Sequence, residues 1–334
     1  MKADIITKEY VRNTDVFSDI FNYYVYNGQQ VIHPEQLVER DTTNLSLPYG
    51  SDGALVPIQR FRDIQKLYTS MSDGKVEYVL FGVENQSDIH YAMAVRNNLY
   101  DALEYAEQVE AAARSHKAEL KQKHNPNKKL ESGEFLSGFW KEDRLIPSIT
   151  VTIFFGADEW DGPMSLFDMM DISDPNVLAC MDNYRIRLIS PAQMSDSEIM
   201  KFQSSLREVM LFIKHSRDMN KLEAILTTNR ERFSNLERRA ADVIKVITHS
   251  DFEYAENEVK VNMCQAILDM KQKSKLEGKL EGRLEGRLEG KLEGKLEGKS
   301  EVARQLKQMG LSIDKIAQAV NYPIETVKEW IEQN

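Results

Sequence analysis

An α/β or α+β core followed by a helical tail is the fold class that this sequence predicts, and three observations predict it. Short apolar runs rich in aromatic and β-branched residues, "KVEYVLFGV" and "IPSITVTIFFG", read as buried strands. Segments with helical apolar spacing precede and separate these runs. From Ser195 the pattern stays helical almost to the end of the chain. The order helix, strands, helix, strand, strand, helices suits a layered core that buries one apolar sheet. At 334 residues the chain has room for a sizeable core and for two or three domains.

Taken in order, "TDVFSDIFNYYVYNG" repeats apolar residues at helical spacing and stops at Asn27-Gly28, a glycine-capped helix end. Residues 29–50 are turn-rich. "GALVPIQRF" and "KVEYVLFGV" read as strands around the turn "MSDGK", with "RDIQKLYT" continuing or pairing between them. A long helix is predicted from about Tyr91 to Lys117. The polar "KQKHNPNKKLESGE" that follows is a loop by composition. "IPSITVTIFFG" is the clearest strand of the chain, and "YRIRLISP" is another.

The tail carries an internal repeat. From Lys275 to Gly298 the tetrad KLEG or RLEG recurs six times. With a period of four, each leucine advances about 40° round a helix of 3.6 residues per turn, so the leucines spiral. Like charges recur at i,i+4, and each glycine costs about 1 kcal/mol relative to alanine. As an isolated helix the segment should be weak. It reads as a charged spacer or as a self-association helix through which copies assemble into a homo-oligomer. Beyond it, a helix should stop at Gly310, Ser312 should cap "IDKIAQAV", and "IETVKEWIEQ" should form a third helix after "NYP". Ala317 with Ile313, Ile316, Val320 and Val327 gives the core spacing of a helix-turn-helix. Glu325, Lys328 and Glu329 on its last helix are poor material for reading DNA.

Composition narrows the classes. Hydrophobic residues make up 42% and charged residues 29%, with a net charge of −10 that argues against an all-over basic surface for nucleic acid. Two cysteines, Cys180 and Cys264, are too few for a disulfide framework or a zinc cluster. "MKADIITKEY" has no apolar signal core, and no run of about 18 apolar residues occurs. A cytoplasmic, reduced protein without a membrane partner is expected. His33, His90, His116, His124, His215 and His249 show no metal-ligand spacing. No nucleophile elbow, Walker or Rossmann glycine pattern occurs, so no small-molecule cofactor is expected. "DEWDGP" at 158–163 and the lysines of 117–129 read as a polar loop and a solvated loop, with a second cation or a basic arm as the alternative uses.

The stretch "FGVENQSDIHYAMAVRNNLY" poses the chemical question, because a buried strand ends in Glu84-Asn85-Gln86 and an amphipathic helix follows. Upstream, Asp63 stands where one predicted strand gives way to the next, 21 residues before Glu84. That spacing suits neighbouring strands joined by a hairpin, with both carboxylates at one end of a sheet. Gln86 shares the face of Glu84 by period-two alternation. Two hard oxygen ligands with room for water suit Mg²⁺. Polar residues that merely finish a strand are the other reading.

An aspartate, then about twenty residues later an apolar strand ending Glu-x-Gln-Ser, then an arginine and a tyrosine four residues apart on a helix, is the pattern present here. Asp63, "VENQS" (Glu84, Gln86, Ser87) and "MAVRNNLY" (Arg96, Tyr100) supply it. It resembles the PD-(D/E)XK nuclease superfamily, and more narrowly its recombination-promoting nuclease/putative transposase (YhgA-like) group. The tetrad repeats and the "GLSI" end are also similar to that group. The likeness covers roughly residues 10–215 in architecture, with its specific residues mainly in 60–100.

The resemblance implies a restriction-endonuclease-like core over 1–215, a mixed sheet flanked by helices. A helical extension (216–272), the tetrad spacer or assembly helix (273–300) and a small helical unit (301–334) would follow. It implies Mg²⁺-dependent hydrolysis of DNA phosphodiester bonds, associated with recombination or transposition. Asp63 and Glu84 would hold the metal, helped by the backbone carbonyl of Asn85. The superfamily's usual lysine is replaced by Gln86, which can orient a water but carries no charge. Arg96 and Lys66 are the candidates to grip a DNA phosphate. A salt bridge to Asp101 or to a site carboxylate would equally occupy Arg96, and Tyr100 would share its helix face and pack. Asp15 or Asp19 in the first helix would complete the metal shell, or else face solvent as helix-capping acids. The rival to a nuclease is a DNA-binding or oligomeric scaffold with a vestigial site.

Overall fold

The computed structural model describes residues 2–40, 43–46, 58–61, 63–72, 75–121, 130–255 and 257–332. The chain divides into two compact units, 1–266 and 267–334. The first unit opens with two helices, α1 (Lys2–Arg12) and α2 (Thr14–Tyr26). Only the second lies where apolar spacing predicted a helix. The first was overlooked although Ala3, Ile6, Thr7, Tyr10 and Val11 follow helical spacing, and the last three are buried. Asn13 caps α2 by accepting a hydrogen bond from the Asp15 amide, and Asn27 ends it at φ 54°. Gly28 follows at φ 89°, where a Cβ would stand 2.8 Å from that of Lys201, so glycine is required on both counts.

The turn-rich stretch holds two short strands, β1 (Leu37–Glu39) and β2 (Thr43–Ser46). Next come β3 (Ile58–Phe61), β4 (Ile64–Ser72) and β5 (Lys75–Gln86). Residues 53–57 of the predicted "GALVPIQRF" strand lie outside the described residues. Its end, β3, pairs with β2 in a two-stranded sheet of its own. Of the two readings of "RDIQKLYT", continuing or pairing, the structure shows pairing: as β4 it is the hairpin partner of β5; the turn residues 73–74 lie outside the described residues.

The long helix α3 (Met93–Lys121) follows, then α4 (Ser132–Ser137) and the predicted strand β6 (Ser148–Phe154). Residues 122–129, with Lys123, Lys128 and Lys129 of the proposed basic arm, lie outside the described residues. A short α5 (Pro175–Leu178) precedes β7 (Leu188–Ile189). The main sheet has the order β1-β4-β5-β6-β7. The pairs β1–β4 and β4–β5 are antiparallel, whereas β5–β6 and β6–β7 are parallel, so the sheet is mixed.

Helices cover both faces. On one, Phe21 of α2 stacks on Phe81 of β5 with ring centroids 4.1 Å apart. On the other, Asn97 and Asp101 of α3 bond Thr152 and Thr150 of β6. Four more helices follow, α6 (Asp196–Ile199), α7 (Leu206–His215), α8 (Met219–Thr228) and α9 (Arg230–Phe233). A two-residue strand pair, β8 (Leu236–Glu237) with β9 (Lys260–Val261), brackets α10 (Arg238–Ile247). α10 packs on α7 and α1, so residues 216–266 fold with the first unit.

The second unit is helical throughout. α11 runs unbroken from Met263 to Gln308, beginning in the last residues of the first unit and passing through every tetrad. Lysine, leucine and glutamate are good helix formers, and the repeat has no proline or β-branched residue to stop it. Gly310, at φ 84°, ends the helix. α12 (Ile313–Val320) and α13 (Ile324–Glu332) then close a small core of Ala303, Ile316, Ala317, Val320, Val327 and Trp330. Ser312 holds the position before α12 but makes no capping hydrogen bond with its side chain. Among the described residues no helix is long and apolar enough to cross a membrane.

Candidate functional site

The β4–β5 register positions the acids. Ile64 faces Val83, so Asp63, one residue before β4, stands opposite Glu84 at the same end of the sheet. Its Oδ2 accepts a hydrogen bond of 3.0 Å from the Asn85 amide, which fixes the carboxylate against the end of β5. Period-two alternation turns Glu84 toward the α3 face, where it is fully buried. Asn85 points the other way, and its side-chain amide donates to the Thr7 hydroxyl of α1.

Arg96, one turn into α3, takes the alternative named for it. One guanidinium NH2 lies 3.2 Å from Glu84 Oε2, and Asp101 is engaged elsewhere, by Ser148, Thr150 and Tyr184. Its Nε donates to the Tyr100 hydroxyl at 3.2 Å, so Tyr100, itself buried, steers the fork. Burial works against the charge of Arg96. Glu84, Tyr100 and Asp63 outweigh it and hold the guanidinium above its ordinary value. The bonds from Asn97 and Asp101 to β6 fix α3 on the sheet and thus fix where Arg96 emerges.

Around these groups lies a cavity of about 340 Å³ lined by Asp4, Ile5, Lys8, Asp63, Asn85, Gln86 and Arg96. Two of its charged groups were missed in the sequence because they sit on α1. Lys8 Nζ lies 3.6 Å from Asp63 Oδ1, and Asp4 Oδ1 accepts a hydrogen bond from the Ser87 hydroxyl. The α-helical spacing of "ADIITKEYV" was the available signal. The side chain of Gln86 turns back, its Nε2 donating to the Asn85 carbonyl at 2.9 Å. One lone pair of the carbonyl assigned to a metal is therefore already taken.

Three assigned residues are placed elsewhere. Lys66 is buried, donates 2.7 Å to the Arg12 carbonyl at the end of α1, and lies 5.0 Å from the Phe17 ring centroid. Its place on β4 turns it to the α2 face, and it is not exposed to a phosphate. Asp19 is also buried, and its Oδ2 accepts from the Gln203 and Ser204 amides and the Ser204 hydroxyl, just before α7. Asp15 is exposed at the start of α2. Both line a separate cavity of about 760 Å³ with Arg232 and Glu237, not the one at Asp63. The acid that the first helix does bring to the site is Asp4. In the 158–163 loop, Asp158 is held by both arms of Arg217.

Comparison with protein-family models, with curated proteins and with solved structures found no match for this chain. The donor set itself says what the site could hold. Among the described residues no group of three or more His, Cys, Asp or Glu is arranged to hold a metal. Mg²⁺ characteristically keeps several waters and needs only one or two carboxylates. Asp63 and Glu84 are the two carboxylates at this end of the sheet, and each already faces a cation of the chain, Lys8 and Arg96.

Proposed function

We propose that the first unit is a Mg²⁺-dependent DNA endonuclease of restriction-endonuclease-like fold, acting in recombination or transposition. The observation that carries this reading is the opposition of Asp63 and Glu84 at one sheet end, with Asp63, Lys8, Arg96 and Gln86 lining one cavity and the buried Glu84 reaching it through its 3.2 Å pair with Arg96. Asp63 and Glu84 would hold the metal, whose chemistry is to acidify a bound water and neutralise phosphate charge. Lys8 is positioned to pair with a phosphate oxygen when released from Asp63, and Arg96, its fork presented at the cavity, can do the same. Gln86 can orient a water with its amide. No ammonium stands at its own position, so a modest rate is expected.

Nicking of supercoiled plasmid by the wild type and by Asp63→Ala, with Mg²⁺ and with chelator, tests the proposal. Metal-dependent nicking abolished by the substitution supports it; equal nicking by both proteins removes it.

A second reading, a DNA-binding or scaffolding protein with a vestigial site, is favoured by one specific observation. Asp63 and Glu84 are each paired with a cation of the chain itself, 3.6 and 3.2 Å away. Calorimetric titration with Mg²⁺ separates the two, because a scaffold has no reason to bind the ion at these residues.

A further inference from the structure

The repeat leaves a row of leucines with no cover from its own chain: Leu276, Leu280, Leu284, Leu288, Leu292 and Leu296 are 39–67% exposed. Residues four apart on an α-helix stand on one ridge inclined to the axis. The tetrad therefore writes four ridges, one each of base, leucine, acid and glycine. At 100° per residue the basic ridge flanks the leucines on one side and the acidic ridge flanks them on the other. The glycines lie behind, with nothing within 4 Å of where a Cβ would be at any of the six. Within one helix the repeat sets like charge against like at i,i+4 and places no opposite pair at i,i+3 or i,i+4. Its attractive partners must come from outside the helix.

We propose that the repeat helix binds a second copy of this chain in a parallel pair, leucine ridge against leucine ridge. The flanks decide both occupant and direction. A two-fold axis along the helices brings the basic flank of each copy beside the acidic flank of the other, along the whole contact. An antiparallel pair would set base against base and acid against acid. The leucine rows slope with the i±4 ridges, so the two helices cross in the right-handed sense, at about 50° where such ridges interdigitate. The contact centres on a few tetrads, and registers four residues apart are equivalent. This pairing is independent of the nuclease proposal and stands or falls without it.

Sedimentation of the full chain tests it. The wild type should be dimeric at tens of micromolar. Replacing Leu280, Leu284, Leu288 and Leu292 with asparagine should weaken the dimer at least tenfold, whereas Gly286→Ala with Gly290→Ala should leave it intact. Replacing the six repeat glutamates with lysine keeps every leucine; it should give a monomer at low salt that dimerises again at high salt, even if the asparagine protein loses its helix. In a Cys180→Ser, Cys264→Ser background, spin labels at position 299 should lie close together in a parallel pair. A monomeric wild type, a dimer indifferent to the leucines, loss of the dimer in the glycine variants, or labels separated by the length of the repeat would each overturn the proposal.

Discussion

Replacing Arg96 with methionine would leave the fully buried Glu84 without its guanidinium. The groups lie 3.2 Å apart at their nearest atoms, so their charge centres interact with about 4–5 kcal/mol at an effective dielectric constant near 20. The Arg96 side chain is 30% exposed, and water offsets part of that attraction. Removing one member of a buried pair characteristically costs about 3–5 kcal/mol. Allowing for solvent at Arg96 and for other groups near Glu84, a loss of about 2–3 kcal/mol is expected. For a unit of this size that is about 4–6 °C in melting temperature. Glu84→Gln in the same chain should return most of the loss, since a neutral amide needs no counter-charge. Thermal melting in chelator and in Mg²⁺ extends the test. If Asp63 and Glu84 bind the ion, Mg²⁺ should raise the melting temperature of Arg96→Met more than that of the wild type. A coupling between the two substitutions below about 0.5 kcal/mol would show that the pair is not an energetic unit and sink the reasoning.

Lys66→Met should cost about 1–3 kcal/mol, because the Arg12 carbonyl loses its donor, while leaving DNA affinity and its salt dependence unchanged. Burial lowers the Lys66 ammonium, so the unfolded chain holds that proton more tightly. Stability from this group therefore rises as pH climbs from the folded value to about 10.4, and the wild-type-minus-variant difference in urea unfolding should show the rise. Taking the difference cancels Tyr10, whose hydroxyl burial raises well above its ordinary value. Asp19→Asn should destabilise by about 1.5–3 kcal/mol through its bonds to residues 203–204, and Asp15→Asn by about 0.5 kcal/mol or less, neither altering Mg²⁺ affinity by calorimetry. On the proposed reading, in which Gln86 stands where a lysine would serve the chemistry, Gln86→Lys should preserve or raise plasmid nicking; complete loss in folded protein would give Gln86 another job.

The elements legible in the sequence are those whose own residues carry the signal. β5 and β6 are apolar and β-branched, α2 stops at Asn27-Gly28, and the final helices are punctuated by Gly310 and Pro323. Glu84 was readable because a fully buried strand should not end in an acid without a partner. What stayed open was pairing. "GALVPIQRF" has strand composition, but composition does not say which neighbour a strand joins, and β4 took the place beside β5. Lys66 failed for the same reason. A lysine on a strand resembles a phosphate ligand until the sheet face is known, and here that face is closed by Phe17 and the end of α1. α1 carries a weaker signal, because the few apolar residues of "MKADIITKEY" are interleaved with Lys2, Asp4, Lys8 and Glu9. Asp4 and Lys8 were lost with it.

That omission bears on the chemistry. Counting Asp4, Asp63 and Glu84 against Lys8 and Arg96 gives −3 + 2 = −1 for the five charged groups at the site. Within that near-neutral cluster Arg96 compensates the fully buried Glu84 from α3, while Lys8 compensates Asp63 from α1. On the proposed reading the same balance governs substrate entry. One divalent cation would turn the cluster from −1 to +1, and a phosphodiester carrying one negative charge would then be attracted where before it was repelled. The lysine missing at Gln86 would not be missing from the site, since α1 delivers an ammonium to Asp63 from the opposite side of the sheet. Sequence spacing within the β4–β5 hairpin cannot show that, because the group comes from a helix 55 residues earlier in the chain than Asp63.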